Sequence, residues 1–262
     1  MDKQDMCKLL MLKNKHSIPV LCTQEHFLLK SNSYKVKQAL PDCRVFFKNA
    51  VMETNQGRPR NGMFIAVPKE IEEHVLDVSP HHWRIQAVII NALNKILVIN
   101  SYFPTDPRTH VFDTADLLST LGVVNEVITS NKFDHVIWAG DLNADFMRNS
   151  KFTTMVDNFI TENNMYKSWD KYPIDYTHAC EVNEVTFTST IDHFVWSEGI
   201  DSNIIDAGVL HLPQNLSDHC PIYCVVKVGG LSARPRVDLE TKKDLVGKKH
   251  HKDKKTTSMQ MY

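Results

Sequence analysis

The segment Lys132–Phe146, KFDHVIWAGDLNADF, constrains the fold more than any other stretch of the sequence. Its centre, His135-Val136-Ile137-Trp138-Ala139, is a short run of apolar, β-branched and aromatic residues, the pattern of a buried strand. Gly140 breaks the run, and Asp141 and Asn143 follow two positions apart. On an extended chain, side chains two apart point the same way. The spacing therefore sets a carboxylate beside a carboxamide at the exit of a core strand, an acceptor next to a group that both donates and accepts. Such a pair can hold a water, a phosphate oxygen or a hard metal ion. Gly, Asp and Asn are also frequent turn residues for backbone reasons alone, so taken by itself the segment reads first as a plain turn.

Other parts of the chain bear on that choice. Apolar runs of strand length recur at Ile18–Cys22, Arg44–Lys48, Met63–Val67, Ile191–Trp196, Ile204–Leu210 and Ile222–Val228. Two more, Trp83–Asn91 and Lys95–Tyr102, are separated around Asn94 and predict a hairpin. Helical spacing appears at Asp5–Lys15, Tyr34–Leu40, Thr114–Ser130 and Phe152–Asn163. There is no internal repeat. Many short strands with helices between them predict a core of two packed sheets flanked by helices.

Composition narrows the class. At 262 residues and 42% hydrophobic content the chain can build a sizeable core. Nothing approaches the apolar length of a membrane span, and the amino terminus is too polar for a secretory signal, so a nuclear or cytoplasmic protein without a membrane partner is expected. Cys7, Cys22, Cys43, Cys180, Cys220 and Cys224 show no CxxC spacing and read as reduced, mostly buried thiols. The paired histidines His81-His82 and His250-His251 have no accompanying zinc ligands at a recognisable spacing. From Leu231 onward nine Lys or Arg face four acids, a net +5, so the overall −1 leaves an acidic body at −6. A basic tail can add sequence-independent attraction to phosphate, or can be a solvated, disordered end.

The acids share an address. Glu25, Asp141, Asp192 and Asp218 each lie inside or at the end of an apolar run, as do Tyr102, Asn143 and His219. Burying an unpartnered carboxylate costs several kcal/mol. Several at strand ends are best explained by convergence on a shared cation, and oxygen donors favour Mg²⁺ or Mn²⁺ over zinc. A histidine with a carboxylate partner beside such an ion suits phosphodiester cleavage.

Five motifs in order carry a resemblance: Gln24-Glu25, Ser101-Tyr102, Gly140-Asp141-Leu142-Asn143, Ile191-Asp192-His193 and Ser217-Asp218-His219. In order and rough spacing they resemble the endonuclease/exonuclease/phosphatase superfamily. The loop from Gln56-Gly57 through Gly62-Met63-Phe64-Ile65, and the closing Ser217-Asp218-His219-Cys220-Pro221-Ile222, are similar to the apurinic-like endonuclease domain of non-LTR retrotransposons. The resemblance spans Ile18 to Val228 and implies an α/β, DNase I-like four-layered sandwich of two mixed sheets flanked by helices. It further implies that Glu25 binds the metal with Asp218 in support or close by, and that Asp141 orients or deprotonates the attacking water. Asn143 would hold a phosphate oxygen, and Tyr102 would contact the phosphate or leaving group. His219, paired with Asp192, would stabilise the scissile phosphate. The partner would be the DNA phosphate backbone, and hydrolysis would leave a 5′-phosphate and a 3′-hydroxyl. His193 and His26 read as packing or surface residues.

Two departures stand against the family pattern. The family's opening strand, an inner strand that supplies an asparagine to the metal site, has no counterpart before the first helix, and Asn14 is misplaced to replace it. Its absence predicts exposed sheet edges. Thr105 stands where apurinic enzymes carry asparagine, and Ser189-Thr190-Ile191 lacks a bulky aromatic wall, which argues against abasic-site repair. The expectation is a Mg²⁺-dependent DNA endonuclease domain over residues 1–228, followed by a disordered tail or linker remnant at 229–262 that once led to a reverse transcriptase. The alternatives are an inactive remnant that binds nucleic acid or protein, and a phosphatase of the same superfamily.

Overall fold

The computed structural model describes residues 17–52, 57–106, 114–213, 215, 217–231 and 257–262. The expected helix at Asp5–Lys15 lies outside them, as does Asn14. In chain order, β1 (Ser17–Thr23) leads through the Glu25 loop to α1 (Tyr34–Ala39), β2 (Cys43–Lys48) and β3 (Met63–Pro68). Next come β4 (Val75–Asp77), β5 (Ile85–Asn91), β6 (Lys95–Tyr102), α2 (Ala115–Ser130) and β7 (His135–Asp141). They are followed by α3 (Lys151–Glu162), β8 (Met165–Lys167), α4 (Ser168–Lys171) and the hairpin β9 (His178–Val182) and β10 (Val185–Ser189). The chain closes with β11 (Asp192–Ser197), β12 (Ile204–Val209), β13 (Ile222–Val228) and β14 (Thr257–Met261).

Two six-stranded mixed sheets stack face to face. The first has the order β12-β13-β14-β1-β3-β2 and the second β4-β5-β6-β7-β11-β8. Alternation along each inner strand assigns its residues to layers. Val20, Ile65, Val98, Ile137, Val226 and Met259 fill the space between the sheets. Their neighbours Ile99 and Trp138 face outward against Leu121 and Val124 of α2 and Val156 of α3. On the far side of the first sheet, Leu21 and Phe64 pack against Val36 and Ala39 of α1. Both faces of these strands are covered, which is why they read as near-continuous apolar runs. The result is four layers, as expected.

The focal strand is pinned by local chemistry. α2 ends three residues before Phe133, and β7 then runs parallel to β6 and antiparallel to β11. Gly140 adopts φ +140°, and a Cβ there would collide with the Ser101 carbonyl oxygen on β6. Only glycine lets the two backbones approach so closely. α3 begins with a capping box, in which the Ser150 hydroxyl accepts from the Thr153 N–H and the Thr153 hydroxyl accepts from the Ser150 N–H.

The final strand corrects the reading of the tail. β14 pairs parallel with β1, Ser17 opposite Ser258, and antiparallel with β13, Cys224 opposite Met261. Met259 and Met261 are fully buried between the sheets. The inner position beside β1 is therefore filled by β14, which leaves neither β1 nor β13 with the uncovered edge that a missing inner strand predicts. The physical cause is apolar alternation: Met259 and Met261 point into the core, while Tyr262 packs on the opposite face with Leu21 and Phe64. Only six residues carry this signal, and the basic stretch before them masks it in the sequence.

Candidate active site

Strand register brings the first three site residues together. In the second sheet Tyr102 of β6 lies opposite Asp141 of β7, and Asp141 lies opposite Asp192 of β11. Three neighbouring strands thus present a phenol and two carboxylates in one row. Asp141 and Asp192 are buried, at 5% and 8% exposure. Beyond β7, Asn143 takes a left-handed conformation (φ +50°), and its N–H donates to the Asp141 carboxylate at 2.9 Å. Its side-chain amide donates to the Phe103 carbonyl at 2.9 Å and reaches Asp141 at 3.3 Å. The Asp-x-Asn spacing read in the sequence is thus a hydrogen-bonded turn that fixes Asp141 while building a site.

The first sheet supplies the opposing residues. His219 precedes β13, and its Nδ1 meets both Asp192 oxygens at 3.0 and 3.1 Å. Its Nε2 is left facing the Asp141 carboxylate at 4.0 Å. Glu25 follows β1 in a left-handed conformation (φ +50°) and borders the same cleft as Tyr102. Glu25 and Asn143 are two of the seven non-glycine residues with positive φ among the described residues.

Electrostatics follow from this packing. Burial, then the neighbouring Asp192 charge, pushes the Asp141 carboxyl well above the usual carboxylate range, and His219 and the Asn143 N–H pull against the rise. For His219 burial opposes protonation, but its bond to Asp192 and the Asp192, Asp141 and Asp218 charges prevail and raise it to about 9. Burial and the Glu25 and Asp141 charges push the Tyr102 phenol up, so it stays protonated. A buried carboxyl with raised proton affinity thus faces an imidazole whose proton affinity is also raised.

The residues fit a hard divalent cation by their donor chemistry. Glu25, Tyr102, Asp141, Asn143, Asp145 and His219 border one cleft of about 220 Å³. Burial first, and then the Asp192 charge, raise the Asp141 carboxyl, and a divalent ion beside it would favour its ionised form. Asp218 is placed differently from Glu25. Its side chain is 63% exposed and lies 3.7 Å from His178, while Glu25 belongs to neither of the two tight ligand groups among the described residues. Both carboxylates do border a second, larger cleft together with Asp141, Asp192 and His219.

Residues outside the expected set complete the site. Thr177 is fully buried, and its hydroxyl accepts the N–H groups of Ile191 and Asp192, each at 3.0 Å. It fixes the backbone that aims Asp192 at His219. Trp169 donates to the Asp192 carbonyl at 2.9 Å. His178 packs against His219 with ring centroids 4.8 Å apart. Neither Thr177 nor His178 sits in an apolar run, so no local pattern flags them. His193 and His26 are packing residues, as expected. His193 Nε2 donates to the Ala144 and Thr190 carbonyls, and His26 stacks on Phe47. Cys22, Cys43, Cys180, Cys220 and Cys224 are free thiols, and Cys7 lies outside the described residues. No helix among the described residues is long and apolar enough to cross a membrane.

Two stacked mixed sheets flanked by helices are a fold similar to that of solved nucleases and phosphatases, among them an endonuclease/exonuclease/phosphatase family protein from Leptotrichia buccalis (TM-score 0.58, 14% identity, over 85% of this chain and 93% of that one). The similarity is one of structure: no protein-family model matches the sequence, and no curated protein sequence matches it. A 3′ phosphatase from Neisseria, solved with a product DNA hairpin, superposes with a TM-score of 0.63 at 14% identity, over 83% of this chain and 91% of that one. An AP endonuclease from Archaeoglobus fulgidus gives 0.59 at 17% identity, over 84% and 92%. The endonuclease domain of TRAS1, a telomere-specific non-LTR retrotransposon, gives 0.51 at 16% identity, over 69% and 78%.

Proposed function

We propose that this chain is a divalent-cation-dependent DNA endonuclease of non-LTR retrotransposon derivation, hydrolysing phosphodiester bonds. The observation that supports it most is the His219–Asp192 pair facing the buried Asp141 across 4.0 Å. Asp141 is the base: Asn143 holds its carboxylate in place, and its raised proton affinity suits it to take a proton from an attacking water. His219, kept cationic by Asp192, offers Nε2 to a non-bridging phosphate oxygen and stabilises the charge that develops there. The Tyr102 hydroxyl is a protonated donor beside the same cleft. Glu25, with Asp141 at hand and Asp218 close by, would hold Mg²⁺ or Mn²⁺, which would supply Lewis-acid charge to the phosphate. The basic tail adds attraction to the DNA backbone.

The test is nicking of supercoiled plasmid with Mg²⁺ or Mn²⁺ against EDTA. Cation-dependent nicking that falls at least ~1000-fold in Asp141→Ala, with an unchanged melting temperature, is expected, because Asp141 acts on the transition state. Equal nicking by parent and variant would remove Asp141 from the mechanism. The likeness to a 3′ phosphatase favours one second reading, a phosphomonoesterase. Release of inorganic phosphate from 3′-phosphorylated DNA without nicking would select it. A folded chain that binds DNA but hydrolyses neither substrate would be a binding module.

A further inference from the structure

His178 has no part in the hydrolysis described above, yet it is held against the working histidine. An antiparallel bridge pairs His178 with His219, and the Ala179 N–H donates to the Asp218 carbonyl at 2.9 Å. The two rings and the Asp218 carboxylate are thereby fixed to one small piece of backbone. One ligand atom from each of His178, Asp218 and His219 lies within 4.8 Å of the others. The His178 Nε2 to Asp218 distance is 3.7 Å.

We infer that His178, Asp218 and His219 form a second cation site, one that takes a borderline transition metal, Zn²⁺, rather than Mg²⁺. Two imidazoles and one carboxylate match zinc, whereas Mg²⁺ takes oxygen donors. The rings are also oriented as zinc-binding histidines are. His178 Nδ1 lies 3.1 Å from the Ser189 hydroxyl, and His219 Nδ1 is bonded to the Asp192 carboxylate. Both partners hold the far nitrogen and leave Nε2 for the metal, the outer-shell pattern that fixes tautomer and ring direction at such sites. With three protein ligands, a fourth position stays open to solvent or a phosphate oxygen. Zinc at this site displaces the proton from His219 Nε2 to solvent and occupies that nitrogen, the one assigned above to the scissile phosphate, so Zn²⁺ inhibits hydrolysis supported by Mg²⁺. That consequence rests on the endonuclease reading; the ion site does not.

Calorimetric titration of the full chain with Zn²⁺ in excess Mg²⁺ tests it. The expected result is one tight Zn²⁺ per chain, weakened at least ~10-fold in His178→Ala and in Asp218→Asn and changed less than ~3-fold in Asp141→Asn. His178→Gln, which keeps a hydrogen-bonding side chain near Ser189, should lose zinc likewise if the alanine variant fails to fold. Absence of tight binding would overturn the site, as would equal affinity in the His178 variants. So would selective loss in Asp141→Asn, which would put the ion between Asp141, Asp192 and His219. In nicking assays micromolar Zn²⁺ should inhibit the parent, and His178→Ala should relieve the inhibition. A chain that binds zinc through His178 but nicks under no condition would keep the site and discard the endonuclease.

Discussion

The two sheets are equal in strand number but are assembled in opposite ways. The second is drawn from one continuous stretch, Val75 to Ser197, and its central pairs join neighbours in sequence: β5 with β6, and β6 with β7. The first needs both ends of the sequence, since β1 is hydrogen-bonded to β14, Ser17 opposite Ser258. Each contributes half the site. The local sheet aligns Tyr102, Asp141 and Asp192, and the sheet closed from afar sets Glu25 and His219 against them. Closing a long loop carries entropy that local pairing avoids. Stability in the first sheet therefore depends on how well a six-residue segment packs.

Met261→Asp should have the largest effect. Met261 is fully buried between the sheets, and an unpaired carboxylate there costs several kcal/mol, enough to undo the pairing of β14 with β1 and β13. Met261→Ala should cost about 3 kcal/mol. If urea unfolding of Met261→Asp matched the parent, the first sheet would not depend on β14, and the contrast between the sheets would fail. Gly140→Ala is the corresponding break in the second sheet. Its Cβ would meet Ser101 backbone while φ stays at +140°, so a loss of about 2–4 kcal/mol is expected by the same unfolding measurement.

The second sheet also carries a pH dependence. Burial pushes the neutral His193 ring down to about 4, against hydrogen bonds to the Ala144 and Thr190 carbonyls that favour its charged form. In the unfolded chain the same ring titrates near its ordinary value of about 6.5. Between these values the unfolded state binds more protons, so the stabilisation from His193 is complete above about pH 6.5 and is lost as pH falls toward 4. The loss amounts to about 3 kcal/mol at most. His193→Gln, which can still donate to a carbonyl, should flatten this limb of the stability profile. An unchanged slope would show that other groups govern it.

The same contrast explains what could be read from the sequence. β5, β6, β7 and β11 announce themselves because apolar residues cover both faces of each strand, and Asp141, Asn143 and Asp192 stand out as polar residues at the ends of those runs. His219 and Glu25 were found by the same sign. β14 escapes because one of its two partners, β1, is more than 230 residues away in sequence and the stretch before it is basic. Four buried residues, Met259 to Tyr262, are too few to show a period. Asn100 escaped for a different reason. It looks like one polar residue in an apolar strand, yet its amide donates to the Thr23 and Phe64 carbonyls and ties the second sheet to the first. Such a partner is visible only after the layers have formed.

Thr177 offers the finest test, because its role is to carry order from one element to another. It lies just before β9, in neither sheet, and its hydroxyl accepts two N–H groups at the start of β11. Thr177→Val keeps the shape and removes the acceptor, leaving the buried Asp192 N–H and the part-buried Ile191 N–H without it, at about 1–3 kcal/mol. Thr177→Ser restores the acceptor. If Thr177 acts only as packing, serine, which lacks the methyl group, should be no better than valine. If it positions Asp192, Thr177→Val should lower kcat for nicking by roughly 10-fold, in line with a small misplacement of a working group, while KM moves little. In that variant the His219 imidazole should also titrate at lower pH by nuclear magnetic resonance, because its bond to Asp192 is the first of the contributions that raise it. Serine should return both readouts toward the parent. A valine variant with parental kcat and an unshifted His219 would show that the β11 strand ladder alone aims Asp192.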